Sequence, residues 1–592
     1  MHQIRVLAIL ALASAACAGS VGAPEIPPAA PVLPEPVEVS PVALPHGGRV
    51  NIDALLAQLT PRQKLAQLVI PWVAGNYEAF DDSALARAAG WVDSLQVGGI
   101  IVSTGSPLDV AAKLNYLQRR SPLPLLVAAD LESGTAGRFL GGTAFPTNMG
   151  VAATGRELDA YEMGRITALE GRAVGIDLAL APVADVNNNP ANPIINTRSF
   201  GEDASRVATL VRAEVRGMED HGLHATAKHF PGHGDTGTDS HIALPVITSD
   251  WRRLDTLELV PFRSAVDAGV TAVMSAHIAL PGLDSGAIRP ATLDPRILTG
   301  ILRDSLGFKG IIITDALDMG ALVSTYGAGK AAVLAFQAGA DLLLQPADPA
   351  EALAALDQAY DDHQITDERL DQSVRRVLAL KASLGLFRRR TVDLEAIPYV
   401  VGDSAFQREA RDVSQRAVVL VKDSAGIVDS LRRGHGRITL VTYGDENAPN
   451  VGVRLAQELR VAGHAVNQFK LWAMSGPASY DSARTLIARN GDIVFAASVR
   501  TSAWRGTLAL PDAWAQLVDS VSRTRPTVLV SEGSPYIIEQ APAAASYLIG
   551  WTPNAFAEMA IGKALGGTAP ITGHLPISIP PLFPLGTGIV RP

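Results

Sequence analysis

Residues 225–241 read ATAKHFPGHGDTGTDSH, and the two halves of this stretch obey different rules. The first half, ATAKHFPG (225–232), is a short, largely apolar run interrupted by Lys228 and His229. Such a run suits a strand of a parallel sheet that is covered on both faces. The second half is spaced by Gly232, Gly234 and Gly237. A run so rich in glycine cannot hold a long helix, so Asp235, Asp239 and His241 fall on a loop. Five of the twelve histidines lie between His221 and His241, a concentration that a solvated surface loop does not need. The residue types alone leave two chemical readings open: a metal site, or an acid/base dyad made of Asp239 and His241.

Seven further runs resemble the first half: LAQLVIPW (65–72), VGGIIVS (97–103), LPLLVAAD (123–130), LALAPVADV (178–186), TAVMSAHI (271–278), GIIITDAL (310–317) and ADLLLQP (340–346). Helical spacing intervenes, as in Val207, Val211, Val215 and Met218. Eight strand-then-helix units predict an α/β fold, a (β/α)8 TIM-like barrel over residues 50–390. Asp130, Asp185, Lys228 with His229, His277 and Asp315 sit towards the C-terminal ends of five of these runs. In a barrel those ends converge on one face, where active sites are built.

Residues 391–410 read as a linker, and residues 411–592 as a smaller α/β open-sheet sandwich domain. Its expected strands are AVVLVKD (417–423), RITLVTYGD (437–445), DIVFAAS (492–498), PTVLVSEGS (526–534) and ASYLIGW (545–551). At the other end, Arg5 precedes an apolar stretch, Val6 to Ala16, that is too short to span a bilayer. Residues 1–17 are therefore expected to be a signal peptide, with Ser14-Ala15-Ala16-Cys17 as a bacterial lipobox. Cys17 is the only cysteine, so no intramolecular disulfide can form, and its lipidation would be the chain's contact with a membrane. Residues 18–49 are proline-rich and read as a stiff tether. The expected location is outside the cytoplasm, periplasmic or at the cell surface. A formal net charge of −9 argues against nucleic acid as a partner.

From about residue 50 onward the chain resembles glycoside hydrolase family 3, specifically its NagZ-type β-N-acetylglucosaminidase branch. The resemblance rests on DLESG (130–134), APVADVNNNP (181–190), NTRSFGED (196–203), KHFPGHGDTGTDSH (228–241), MSAHI (274–278), TDALDMGA (314–321) and PITGHLPISIP (570–580). The D-S-H ending marks the acetylglucosaminidase branch. The resemblance implies Asp315 as catalytic nucleophile, His241 as general acid/base and Asp239 as its orienting partner. It implies that Asp130, Arg138, Arg198, Lys228 and His229 hold the terminal sugar, with no metal and no cofactor. The implied substrates are GlcNAc-containing glycans, either muropeptides or chito-oligosaccharides. One departure stands out: the family's E-G-G-R is E-S-G-T here, Glu132 to Thr135.

Retaining cleavage needs an ionised carboxylate to trap the anomeric centre and an acid to protonate the leaving oxygen. Lys228 and Arg198 are expected to keep Asp315 ionised. A histidine titrates near neutrality and can serve as the acid, with Asp239 taking its other ring N–H. The loop glycines are expected to let His241 swing in with substrate. His277 and Asp185 are expected to act only in support. Alternatives remain: a metal-dependent hydrolase using His229, His233, His241, Asp235 and Asp239, a β-glucosidase or β-xylosidase drawing its acid from a second-domain glutamate, a role in which Glu532 could be miscast, a phosphorylase, and a non-enzymatic sugar-binding lipoprotein.

Overall fold

The computed structural model describes residues 50–592 except for residue 80 and residues 284–287, 446–447, 490, 502–505 and 507. The expected signal peptide, the Cys17 lipobox and the 18–49 tether lie outside the described residues.

The eight apolar runs form a closed ring of parallel strands. The strands are β1 (Val69–Ile70), β2 (Trp72–Val73), β3 (Gly99–Val102), β4 (Leu126–Ala129), β5 (Leu178–Ala179), β6 (His224–Phe230), β7 (Ala272–Ser275), β8 (Ile311–Thr314) and β9 (Leu343–Leu344). Strands β2 to β8 pair in chain order, and β1 pairs with β9. A single parallel bridge, Ile313 to Leu342, joins β8 to β9. β1 and β2 are one stave interrupted at Pro71, which has no N–H to give to a ladder.

Alternation along each stave divides the barrel into an inside and an outside. Ile70, Ile101, Leu126, Leu178, Met274, Ile313 and Leu344 meet in one interior cluster. β6 is the exception. Its Ala225 and Ala227 join the outer core, so by period two Thr226 and Lys228 take the inward positions. The helix Asp367–Ser383 closes the floor: its Val377 and Leu380 belong to the interior cluster, and Lys381 Nζ donates to Gln67 Oε1 at 2.6 Å.

The second sheet has six strands, β10 (Val419–Asp423), β11 (Arg437–Gly444), β12 (Ala465–Trp472), β13 (Asp492–Ala497), β14 (Thr527–Ser531) and β15 (Ser546–Ile549), in the order β10-β15-β14-β13-β11-β12. Every pair is parallel except β10 with β15. Five of these strands match the expected runs. The sixth, β12, does not read as an apolar run because it is an edge strand whose Asn467, Gln468 and Lys470 are at least partly exposed.

A helix, Ser404–Ala417, runs through residues 410 and 411 and holds the two halves together. Its Arg416 pairs with Asp159 of the barrel at 2.9 Å. Further contacts fasten the second domain beside the β5 loop. Asn187 Nδ2 donates to Tyr536 Oη at 3.2 Å, and Ser578 Oγ to Glu202 Oε2 at 2.9 Å. Gly201, at φ 145°, approaches Pro576 so closely that a Cβ would lie 2.4 Å from its carbonyl oxygen.

Candidate active site

A cavity of about 500 Å3 opens at the C-terminal ends of the barrel strands, and all the sequence-predicted site residues except Asp239 line it directly. Asp130 follows β4, Lys228 and His229 lie in β6, Asp315 follows β8, and Arg138 and Arg198 come from the loops after β4 and β5. Asp239 is buried behind His241. Thr501 brings the second domain to the rim.

One side of the cavity is an ion cluster centred on Lys228, which is 2% exposed. Its Nζ lies 3.0 Å from Asp130 Oδ1 and 2.7 Å from Glu132 Oε1. Arg198 grips Glu132 with both prongs, Nε to Oε2 at 2.9 Å and Nη2 to Oε1 at 2.8 Å. Arg138 Nη2 donates to Asp130 Oδ2 at 3.0 Å. Burial alone would raise the Asp130 carboxyl, but Lys228 and Arg138 outweigh it and hold it at about 2. Glu132 likewise resists burial and falls well below the usual carboxylate range, because Arg198 and Lys228 face it. The cluster is therefore a fixed set of charges whose remaining donors and acceptors can meet sugar hydroxyls. Glu132 was not among the residues expected to bind sugar, and its only sequence signal was its place in DLESG.

His229 is oriented from behind by Asp185, which is fully buried. Asp185 Oδ2 lies 2.7 Å from His229 Nδ1, and Oδ1 accepts the His233 backbone N–H at 2.6 Å. On the other side of the ring, Arg198 Nη2 lies 3.3 Å from His229 Nε2. A guanidinium can only donate, so the network assigns the proton to Nδ1 and leaves Nε2 as acceptor. Asp185 thus acts through His229, whose ring orientation and tautomer it fixes.

Asp315 stands where β8 ends, its Oδ1 accepting the Ala316 N–H at 2.8 Å. Burial raises its carboxyl, but His229, His277, the Ala316 N–H and His241 together bring it below the ordinary value. Lys228 and Arg198, the cations expected to favour ionised Asp315, make their close ion pairs with Asp130 and Glu132. His277 Nε2 lies 2.9 Å from the Ala316 carbonyl oxygen and steadies the backbone just after Asp315.

The imidazole of His241 meets Asp239 through Nδ1 at 2.8 Å, and its backbone N–H reaches the same Asp239 oxygen at 2.9 Å. That leaves Nε2 as the ring nitrogen for proton exchange in the cavity. The stem of the loop is clamped. Asn192 Nδ2 donates to the carbonyls of His233 and Gly234 at 2.9 Å each. A Cβ on Gly234 would lie 1.7 Å from Val186 O. The tip is more open, since a Cβ on Gly237 would meet nothing within 4 Å. Two backbone bonds, Gly320 N to His241 O at 3.2 Å and Ala321 N to Ser240 O at 3.3 Å, dock the His241 end onto the segment after Asp315. Asp318 and Gln345, 2.8 Å apart, line the same part of the cavity. Gln345 holds φ 48°, a left-handed conformation that is uncommon for a non-glycine residue and often found at functional sites.

The metal-ligand reading does not match these positions. Both ring nitrogens of His233 have hydroxyl partners, Thr236 at 2.7 Å and Ser240 at 3.1 Å. His229 has a guanidinium at its Nε2. Among the described residues no three His, Cys, Asp or Glu side chains converge as a ligand set. Glu532 does not line the cavity either. It is fully buried in the second domain, and burial together with Glu558 pushes its carboxyl well above the usual range. Glu558 itself accepts the backbone N–H groups of Gly452, Arg454 and Leu455. Thr135, at the departure from E-G-G-R, is buried too and donates to Glu170. Glu170 also accepts from Thr143 Oγ1 at 2.6 Å and Gly402 N at 2.8 Å, tying the sugar-side loop to the connector.

The glycosyl hydrolase family 3 N-terminal domain matches residues 60–380. A β-N-acetylglucosaminidase/β-glucosidase of Cellulomonas fimi is 32% identical over 565 residues, 91% of this chain and 97% of that protein. Among solved structures, a family 3 β-N-acetylglucosaminidase from Paenibacillus sp. superposes with a TM-score of 0.79 at 32% identity, covering 88% of this chain and 99% of that one. The β-glucoside phosphorylase BglX superposes with a TM-score of 0.80 at 26% identity, covering 89% and 96%.

Proposed function

The chain belongs to glycoside hydrolase family 3, and on that premise we propose that it is a retaining exo-β-N-acetylglucosaminidase. One observation carries the reading: a single cavity holds a carboxylate at the end of β8, Asp315, and an imidazole oriented by a buried carboxylate, His241 with Asp239. In the first half-reaction Asp315 bonds to the anomeric carbon as the bond to the leaving oxygen breaks. Imidazolium His241 gives its Nε2 proton to that oxygen, and Asp239 supports the charged ring. In the second half-reaction neutral His241 takes a proton from water, which attacks the same carbon and releases Asp315. The Asp130–Glu132–Lys228–Arg198 cluster and His229 hold the terminal sugar.

The natural substrates in this reading are muropeptides or short chito-oligosaccharides met outside the cytoplasm in peptidoglycan turnover. The apolar leader and the Cys17 lipobox support an exported, lipid-anchored protein. Incorporation of a palmitate analogue that is lost in Cys17→Ala tests the anchor.

The test of activity is kcat/KM on an aryl β-N-acetylglucosaminide and on the matching β-glucoside, with and without inorganic phosphate. A large preference for the acetamido sugar, with free GlcNAc as product in both buffers, is expected. A preference for glucose would overturn the branch assignment, and a sugar 1-phosphate as main product would overturn hydrolysis.

A further inference from the structure

The second cavity, about 640 Å3, lies at the opposite end of the barrel from the catalytic mouth. Its wall includes Gly175 and Asp177, which immediately precede β5, and Leu384 to Val392, which follow the floor helix Asp367–Ser383. Four arginines surround it: Arg172, Arg388, Arg389 and Arg390. Only Arg172 has a carboxylate partner there, Asp177. Among the described residues the other three make no ion pair. Arg389 Nε donates to the Thr391 carbonyl at 3.2 Å and Arg390 Nη1 to the Ser121 carbonyl at 2.7 Å. Arg390 is half-buried, and burial lowers its pKa with no carboxylate to offset it.

The same wall carries Asp177 and Asp393, and Arg388 and Arg389 are exposed; four guanidinium groups against two carboxylates, in a chain of net charge −9, leave a local surplus of positive charge that an anion from outside would meet. The planar donor forks match phosphoryl oxygens well. The rest of the wall is largely aliphatic, with Leu169, Leu386 and Val392, so the ligand must carry apolar surface beside its charge. We propose that this floor cavity binds the phosphoryl headgroup of an anionic lipid and thereby seats the barrel on a membrane with its catalytic mouth facing away.

The chain path agrees. The first described helix, Ile52–Gln58, is joined to the floor helix by Asp53 and Arg375 at 2.9 Å, so the described chain begins on the floor side, where the expected 18–49 segment would join it. In an extended polyproline conformation that segment reaches up to about 100 Å, too long to orient the body by itself. The arginines would do so. The orientation rests on the anchored reading above, whereas anion binding does not.

The experiment uses the full chain carrying Cys17→Ala, so that no acyl anchor contributes, and measures co-sedimentation with vesicles. Binding to phosphatidylglycerol-containing vesicles and not to pure phosphatidylcholine is expected, weakening with salt. Arg388→Gln, Arg389→Gln and Arg390→Gln combined should lower the partition coefficient on the order of 100-fold. Turnover of the aryl substrate by this triple variant should stay within about twofold, which shows that it is folded. Equal binding to both vesicle types, or undiminished binding of the triple variant, overturns the proposal. Displacement by millimolar inorganic phosphate would overturn the lipid as the source of the phosphoryl group. Loss of Cys17 labelling bears on the anchor alone.

Discussion

Asp185→Asn tests whether His229 works through one particular tautomer. In the wild type, Asp185 accepts from His229 Nδ1 at 2.7 Å, from His233 N at 2.6 Å and from His229 N at 3.2 Å. An asparagine keeps one acceptor oxygen and turns an NH2 towards groups that themselves donate. Relief comes by moving the His229 proton to Nε2, where it then opposes Arg198 Nη2 at 3.3 Å. Arg198 would have to withdraw, and with it the bidentate grip on Glu132. Losing one to two charge-assisted hydrogen bonds costs about 3 kcal/mol of stability. A comparable loss of binding in the transition state corresponds to roughly a 100-fold fall in kcat/KM. The assay is the pair of kcat and KM on an aryl β-N-acetylglucosaminide, with thermal unfolding alongside. A purely structural role would lower Tm and leave KM alone, whereas a displaced Arg198 raises KM. The pH dependence has a definite sign. Asp185 is held below the ordinary carboxylate value despite burial, through His229 and His233. Its stabilisation is therefore present above the unfolded value of about 3.9 and lost as pH falls through the lower folded value. The Tm gap between wild type and Asp185→Asn should narrow in acid. A variant within about threefold of wild type in kcat/KM, with unchanged KM, would refute the tautomer argument.

His241→Ala should slow substrates with poor leaving groups by about 100-fold or more and activated aryl glycosides far less. Equal losses on both classes would remove His241 from the acid role. Glu532→Gln should leave kcat/KM within about twofold, because the residue is buried away from the cavity. Its raised carboxyl makes the native fold lose stability as pH rises from the unfolded value towards the folded one, so the variant should flatten that part of a Tm-against-pH curve. Millimolar chelator should leave kcat unchanged, and a chelator-sensitive enzyme whose activity returned with zinc would revive the metal reading.

The order of the strands and the main chemical groups were legible because they depend on short stretches of chain. A strand covered on both faces must be apolar throughout, so the eight runs announced themselves. The Asp239–His241 dyad is closed by neighbours two residues apart, and Asp315 is marked by its place at a strand end. Other features were hidden for the opposite reason. Glu132 acquires its role only when ring closure brings Arg198 and Lys228 to it, from 66 and 96 residues away. The same closure sets those cations in close ion pairs with Asp130 and Glu132 and brings His229, His277 and His241 around Asp315. β12 escaped because an edge strand is half solvated and keeps polar residues. Glu532, a residue that the sequence could miscast as an acid, is buried beside Glu558. The sequence by itself determined the strand pattern and the locally closed dyad, because burial and two-residue spacing are properties of the chain. Only the tertiary structure decided which charges neutralise one another, because Coulomb energy depends on distance in space and not on distance along the chain.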